Sequence, residues 1–214
     1  MKAVQILMWN KESSRALNGY LYNGYVIQSS NFPPTDWAIP TFAETELLGT
    51  GGEIKEAGTT HWTTPNTGAT NSTGFTFLPS GYRGQNGTFL NIETNGYMAI
   101  YPYYGINEGD ARSCSYFSSS LALLAGDLLT NALDGLSVRF IYTGAGTPST
   151  VNDYDGNIYD VVKIGTEYWT KQNWKCTHLN DGTSISNITS SVTWIAATAG
   201  DYYMCAYDND DDYI

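Results

Sequence analysis

Apolar residues in this chain come in short runs, broken every few positions by turn chemistry, with no sustained helical period. LYNGYVI (21–27) reads as a strand, and NFPPTDWAIP (31–40) reads as a loop, because proline fixes φ and removes a donor. TFAETELL (41–48) has the form of a short helix: Thr41 is placed as N-cap, Glu44 completes a capping box, and GTGG stops it. EIKEAG is a candidate second short element, and TTHWTTPNTGATNSTG (59–74) is a long polar loop. GFTFLPSGYRGQNGTF (74–89) reads as strand, turn, strand. GYMAIYPYYG (96–105) reads as an aromatic-rich strand, with NEGDARS after it as a loop. CSYFSSSLALL and LLTNALDG carry no deciding period. GLSVRFIY (135–142) alternates cleanly, which predicts a half-buried strand.

TGAGTPSTVN (143–152) has the composition of a linker. IYDVVKI (158–164) is a strand between the DG of one turn and Gly165, and the acidic tail YDNDDDYI is expected to be solvated and poorly ordered. Residues 1–18 are weakly patterned and read as an N-terminal arm or a short helix. No tandem repeat is present. The pattern predicts an α+β fold of many short antiparallel strands, one or two short helices and long loops.

Composition sharpens this picture. The 214 residues suffice for a self-sufficient core, and 17 Tyr, 6 Trp and 22 Gly stand against only 10 Lys+Arg. Tyr and Thr are good strand residues, and Tyr with Asn, Ser and Gly also suits binding surfaces. The net charge of -11, with no basic cluster, excludes nucleic acid as the expected partner and disfavours anionic membranes. No run approaches the ~20 apolar residues that span a bilayer. WNKESSR stands where a signal peptide would need a small-residue cleavage site, so no secretion signal is expected.

Catalytic chemistry is sparse. Cys114, Cys176 and Cys205 fit no metal spacing and read as three small buried hydrophobes of a reducing compartment. His61 and His178 lie in polar loop and turn sequence. No G-x-S-x-G, H-E-x-x-H or phosphate-cradling loop occurs, so the expectation is a protein that is not an enzyme. No cofactor is expected. A hard cation such as calcium is the one left open, because D-Y-D-G-N (153–157) alternates Asp153, Asp155 and Asn157, although a plain turn is the favoured reading. The tail carboxylates Asp208, Asp210, Asp211 and Asp212 are a weaker alternative.

DYDGNIYDVVKIGTEYWTKQNWKCTHLNDGTSI (153–185) reads like the opening of a domain, yet it starts late in the chain. Asp153, Asp155, Gly156, Asn157, Tyr159, Ile164, Gly165, Trp169, Asn173, Thr177, Asn180, Asp181, Gly182 and Ile185 resemble the opening of the Fibrobacter succinogenes major paralogous domain family. Tyr207, Asn209 and Asp210 continue the resemblance. The family's later motifs lie at the front: Leu21-Tyr22-Asn23-Gly24-Tyr25, Asp36 to Thr41, Thr73 to Gly84, and Gly135, Ser137, Val138 and Arg139. Gly24 stands where the family has Trp. The chain thus resembles a circular permutant, with 19–142 the C-terminal part, 143–152 the joining linker and 153–214 the N-terminal part of a single domain. The alternative is a fragment of two tandem copies whose halves complete each other between chains.

The resemblance implies a C-type-lectin-like fold, circularly permuted, and a non-enzymatic binding role. The implied protein is a receptor-binding or adhesin domain on a bacteriophage virion, on a tail or head fibre. It would be made in the host cytoplasm, contact other virion proteins and recognise a bacterial surface glycan or protein. Alternatives are a structural capsid or tail decoration protein and a bacterial surface-displayed binding protein. Homo-oligomerisation is left open. The implied ligand face is 94–120, with Tyr97, Tyr101, Tyr103, Tyr104, Asn107, Arg112 and Tyr116 as candidate contacts. HWTTPN, in the 59–74 loop, is a second candidate surface.

Overall fold

Side-chain caps and glycine turns, rather than long periodic elements, dictate where each element begins and ends. In the computed structural model, residues 18–101, 111–124 and 132–213 are described. The 21–27 stretch, expected as a strand, splits. Leu21–Tyr22 form β1, and Asn23 then caps helix α1 (Gly24–Ile27) by accepting from the Val26 N–H at 3.1 Å. An Asn with a free side-chain oxygen competes with the ladder and starts a helix instead. The capping box at 41–48 forms as expected, with Glu44 Oε2 accepting from the Thr41 N–H at 2.6 Å. Helix α2 (Phe42–Thr45) runs into a 3-10 turn, Glu46–Leu48, and Gly49 at φ 94° ends it. A second capping box, Thr50 with Glu53, opens α3 (Gly51–Ile54). Residues 59–74 contain no helix or strand.

Short strands fill most of the rest. They are β2 (Trp37–Ala38), β3 (Ser80–Arg83), β4 (Phe89–Ile92), β5 (Asn95–Ala99), β6 (Ala111–Ser115), β7 (Leu121–Leu124), β8 (Ile141–Tyr142), β9 (Thr150–Asn152), β10 (Ile158–Ile164), β11 (Glu167–Thr170), β12 (Ser186–Asn187) and β13 (Tyr203–Cys205). Helix α4 (Ser191–Ile195) lies between the last two strands. Among the described residues the main sheet has the order β2-β8-β11-β10-β9, with smaller sheets β1-β13-β12, β5-β6-β7 and β3-β4. The fold is α+β and mainly β.

Four local expectations change. The 143–152 linker ends in a strand, because the Asp153–Asn157 turn folds β9 back onto β10, pairing Val151 with Tyr159. The end of NEGDARS belongs to β6, which pairs Arg112 with Met98. GLSVRFIY forms a strand only at Ile141–Tyr142, with single bridges at Gly135 and Leu136, and its polar face is buried too: Ser137 is 1% and Arg139 0% exposed. The tail is anchored by Tyr207, which packs 5.2 Å from Phe89, while Asp208, Asp211 and Asp212 stay exposed.

Residues before and after the joining segment share one core. Tyr22, Phe32, Leu136 and Phe140 cluster with Tyr159, Trp174, Ile185 and Met204. Three cations lie fully inside. Lys55 donates to the carbonyls of Thr67, Ser115 and Ser118 at 2.7–3.0 Å. Arg83 donates to Gly87 and Ile188 carbonyls and lies 4.3 Å from the Trp194 ring. Arg139 donates to the carbonyls of Phe75 and Thr76 and to Asn173 Oδ1, with its guanidinium 4.4 Å from the Phe75 ring. Burial lowers the Arg139 pKa to about 9, so it is still charged at neutral pH. Burying a charge costs several kcal/mol, and these acceptors and rings offset it.

Replacing Arg139 by Met strands two buried carbonyls and an amide oxygen. The expected loss is about 3 kcal/mol in urea denaturation. A loss under about 1 kcal/mol would show that the guanidinium is not holding these segments.

Acid should act on the turns. Hydrogen bonds from the N–H groups of Thr50, Thr183 and Thr198 hold Glu53, Asp181 and Asp201 below the usual carboxylate range. At Asp155 burial pushes upward, but donors on Thr177 and His178 outweigh it. Folded values below unfolded ones mean stability is complete above the ordinary carboxylate pKa of ~4 and is lost as pH falls through the lower folded values. The urea midpoint should therefore hold from pH 7 to about pH 5 and drop below about pH 4. The double variant D155N/D181N should flatten that acid limb.

Candidate functional site

The expected ligand face is divided by the fold. Tyr97, on β5, is 4% exposed. Its ring sits 4.9 Å from Tyr82, its hydroxyl accepts from Asn91 Nδ2 at 2.6 Å, and burial pushes its pKa up to about 12. Tyr116 is half-buried, edge-on to Phe117, which is itself 65% exposed. Its backbone joins two loops, donating to Thr94 O and accepting from the Thr67 N–H. Tyr103, Tyr104 and Asn107 lie outside the described residues.

Tyr101 meets the start of helix α2 through its backbone, and Arg112 meets the helix through its side chain. The Tyr101 N–H donates to Pro40 O at 2.7 Å, and Tyr101 bridges Thr41, which places it beside the helix start. Arg112 reaches the same helix from β6. Its guanidinium lies 4.7 Å from the Phe42 ring centroid and is ion-paired through Nη2 to Glu46 Oε1. Arg112 is 4% exposed and its Nε has no hydrogen-bond partner, whereas Phe42 is 42% and Tyr101 52% exposed. The Glu46 side chain is 54% exposed. The result is an exposed Phe42 ring and a Glu46 carboxylate both contacted by a nearly buried arginine, with the half-exposed Tyr101 anchored by its backbone at the start of the same helix.

Phe42 and Glu46 were not among the sequence candidates. One signal was available: with Thr41 as N-cap, Phe42 and Glu46 are four apart and share one helix face. The buried residues of this segment are Thr45 and Leu48. An aromatic on the outer face of a short capped helix is the feature to look for.

Other groups with chemical potential are committed elsewhere. His178 Nδ1 faces Asp155 Oδ1 at 2.6 Å and Thr177 Oγ1 at 3.0 Å, both on one ring nitrogen. A hydroxyl–imidazole–carboxylate relay needs its partners on opposite nitrogens, so this cluster pins a turn. His61 Nδ1 lies 2.7 and 2.8 Å from the two Glu56 oxygens. Burial raises the thiols of Cys114, Cys176 and Cys205 to about 12, away from nucleophilic reactivity. In D-Y-D-G-N, the Asp153 oxygens accept from Asn157 and Tyr159 while Asp155 turns to Thr177 and His178, so the two carboxylates serve different neighbours. Among the described residues no three His, Cys, Asp or Glu side chains converge as metal ligands. No helix among them is long and apolar enough to cross a membrane.

The motif residues read from the sequence have structural work that this geometry makes explicit. A Cβ at Gly81 would lie 2.6 Å from both Leu90 O and the Tyr207 ring, and Gly81 sits at φ 59°. Only glycine fits there. Arg83 and Arg139, in the Thr73–Gly84 and Gly135–Arg139 motifs, are two of the three fully buried cations among the described residues. No curated protein and no solved structure matches the chain. The model of the Fibrobacter succinogenes major domain matches residues 2–141, beginning inside the segment expected as an arm and ending before the joining segment. With about two thirds of its length under that match, the chain belongs to the Fibrobacter succinogenes major domain family.

Proposed function

We propose that this protein is a non-enzymatic binding domain of C-type-lectin-like, circularly permuted fold. Its setting is a bacteriophage tail or head fibre, where it recognises a bacterial surface glycan or protein. The observation that carries the reading is the exposed Phe42 ring packed on the Arg112–Glu46 ion pair, with Tyr101 exposed at the start of the same helix. Large rings left open on a rigid element, next to fixed polar groups, are what recognition of a partner needs. Burial of the thiols and the one-nitrogen arrangement at His178 support a role without covalent chemistry.

Permutation draws support from how the two segments meet. β1 pairs with β13, and β8 with β11, so each of these sheets takes strands from both. The β1–β13 pairing sets Leu21 opposite Cys205, so segments close to the two ends of the described chain lie side by side. A rearranged gene that starts at Thr150, so that β9 is kept ahead of β10, runs through Ile214 into residues 1–142 and stops there should fold with a melting temperature within a few degrees of the parent. Failure of that chain to fold would sink the permutation.

Binding is tested with fluorescently labelled protein on a broad panel of bacterial cells, with and without periodate. Tyr101→Ala should cut cell binding at least tenfold and leave the melting temperature nearly unchanged, since the ring is half exposed. Periodate-sensitive binding would identify a glycan receptor. Absence of binding to every strain would overturn the adhesin reading.

A further inference from the structure

A cation sits where two loops meet, and the chain supplies it from its own sequence. Lys55 follows helix α3 and is 0% exposed. Its Nζ donates to Thr67 O at 3.0 Å, Ser115 O at 2.9 Å and Ser118 O at 2.7 Å. We propose that these three carbonyls form a binding site for a small ammonium-type cation. Lys55 fills it from within, and a free ammonium ion takes its place when the side chain is cut back.

The walls of the site are set by backbone packing that does not involve the lysine side chain. A Cβ at Gly51 would lie 2.4 Å from Ser120 O, and one at Gly52 would lie 2.4 Å from Gly68 O, so both loops press directly on α3. The Gly52 N–H donates to Ser119 O at 2.9 Å, and Gly52 O accepts from the Thr70 N–H at 2.8 Å. The loops are also tied to each other, Thr67 N–H to Tyr116 O at 2.7 Å. What remains is a set of acceptors. Among the described residues no backbone N–H reaches Thr67 O or Ser118 O, and Ser115 O takes a long 3.3 Å contact from the Ser118 N–H. Carbonyl oxygens aimed at one point repel one another, and a positive group between them removes that repulsion.

Geometry decides which cation fits. Three acceptors match the three protons of an ammonium group, whereas a neutral amine has two and would turn its lone pair on the third carbonyl. Separations of 2.7–3.0 Å are too wide for Ca2+, at about 2.3–2.6 Å, or for Mg2+, at about 2.0–2.1 Å. Both ions also need more oxygen ligands than three. The Trp62 ring, 1% exposed, lies 5.2 Å from Nζ and adds an attraction for a cation. Ser115 Oγ is buried without a hydrogen-bond partner, a further oxygen on a residue that already meets the charge. Burial pulls the Lys55 pKa down from its ordinary value, and these oxygens and the ring work against that. Filling the site covalently fixes both loops whatever ions the surroundings hold.

Two variants of the full chain test the site. Lys55→Ala empties it and leaves the carbonyls in place; Lys55→Met keeps most of the stem volume and removes the charge. Parent and variants are refolded from urea, then melted in about 0.5 M ammonium, propylammonium or tetramethylammonium chloride. Ammonium, and propylammonium, which restores the atoms removed, should each raise the melting temperature of Lys55→Ala about 3 °C above its value in tetramethylammonium. The parent, whose site is filled, and Lys55→Met, whose stem blocks it, should show no such gap. Proteolysis within 59–74 of Lys55→Ala should slow at least tenfold in ammonium. An equal gap in all three proteins would reveal a general salt effect and overturn the site. So would a Lys55→Ala chain that stays unfolded in ammonium, or one as stable as the parent without it. In the parent, amine acetylation should modify the exposed Lys163 and Lys175 well before Lys55, and equal rates would likewise overturn the proposal.

Discussion

Charged nitrogen meeting backbone carbonyl is the interaction on which this fold depends. A mainly β chain with long irregular stretches has many carbonyls that no ladder satisfies. Lys55, Arg83 and Arg139 collect them, each from segments distant in sequence: 67 with 115 and 118, 87 with 188, and 75–76 with 173. A neutral amide could not reach three acceptors at once, and a carboxylate partner would leave the loops untied. The aromatic rings stacked on these cations lower the cost of having them inside. Arg139 and Arg83 therefore link residues before and after 143–152, alongside the β1–β13 and β8–β11 strand pairs.

This arrangement explains what could be read from the sequence. The capping box at Thr41 and Glu44 was legible because its chemistry is local, four residues and two hydrogen bonds. The strand at 158–164 was legible because the turns on both sides carry glycine at positive φ, Gly156 and Gly165. GLSVRFIY misled in a specific way. Its alternation is real, but serine and arginine faces signal solvent to a periodicity argument, and here Ser137 and Arg139 face hydrogen-bond partners inside. A buried polar face looks like an exposed one when partners lie about 40 to 60 residues away, as Tyr97, Ser80 and Phe75 do.

The candidate site was half legible for the same reason. Tyr101 and Arg112 stood out as residue types, but Tyr97, of equal promise in sequence, belongs to the core beside Tyr82. Tyrosines on a strand divide between its two faces, and only the register tells which is which. Phe42 and Glu46 entered through a long-range contact from β6, which no local pattern announces. The surface thus separates two kinds of residue: those that hold the rim from beneath and those that present it. Substitution among the second kind changes what is presented without disturbing the first.

The cysteines lead to a different consequence. Cys176 lies in the main core cluster, Cys114 in a second and Cys205 in a third, so each sulfur is walled off from the others by packed side chains. No pair can form a bridge without dismantling two clusters, and each thiol is protonated at neutral pH. The fold is therefore indifferent to redox surroundings: oxidant finds nothing to couple and reductant nothing to break. Such a molecule passes between a reducing interior and an oxidising exterior as the same covalent species. A single cysteine engineered at its surface would be the one thiol available to a probe.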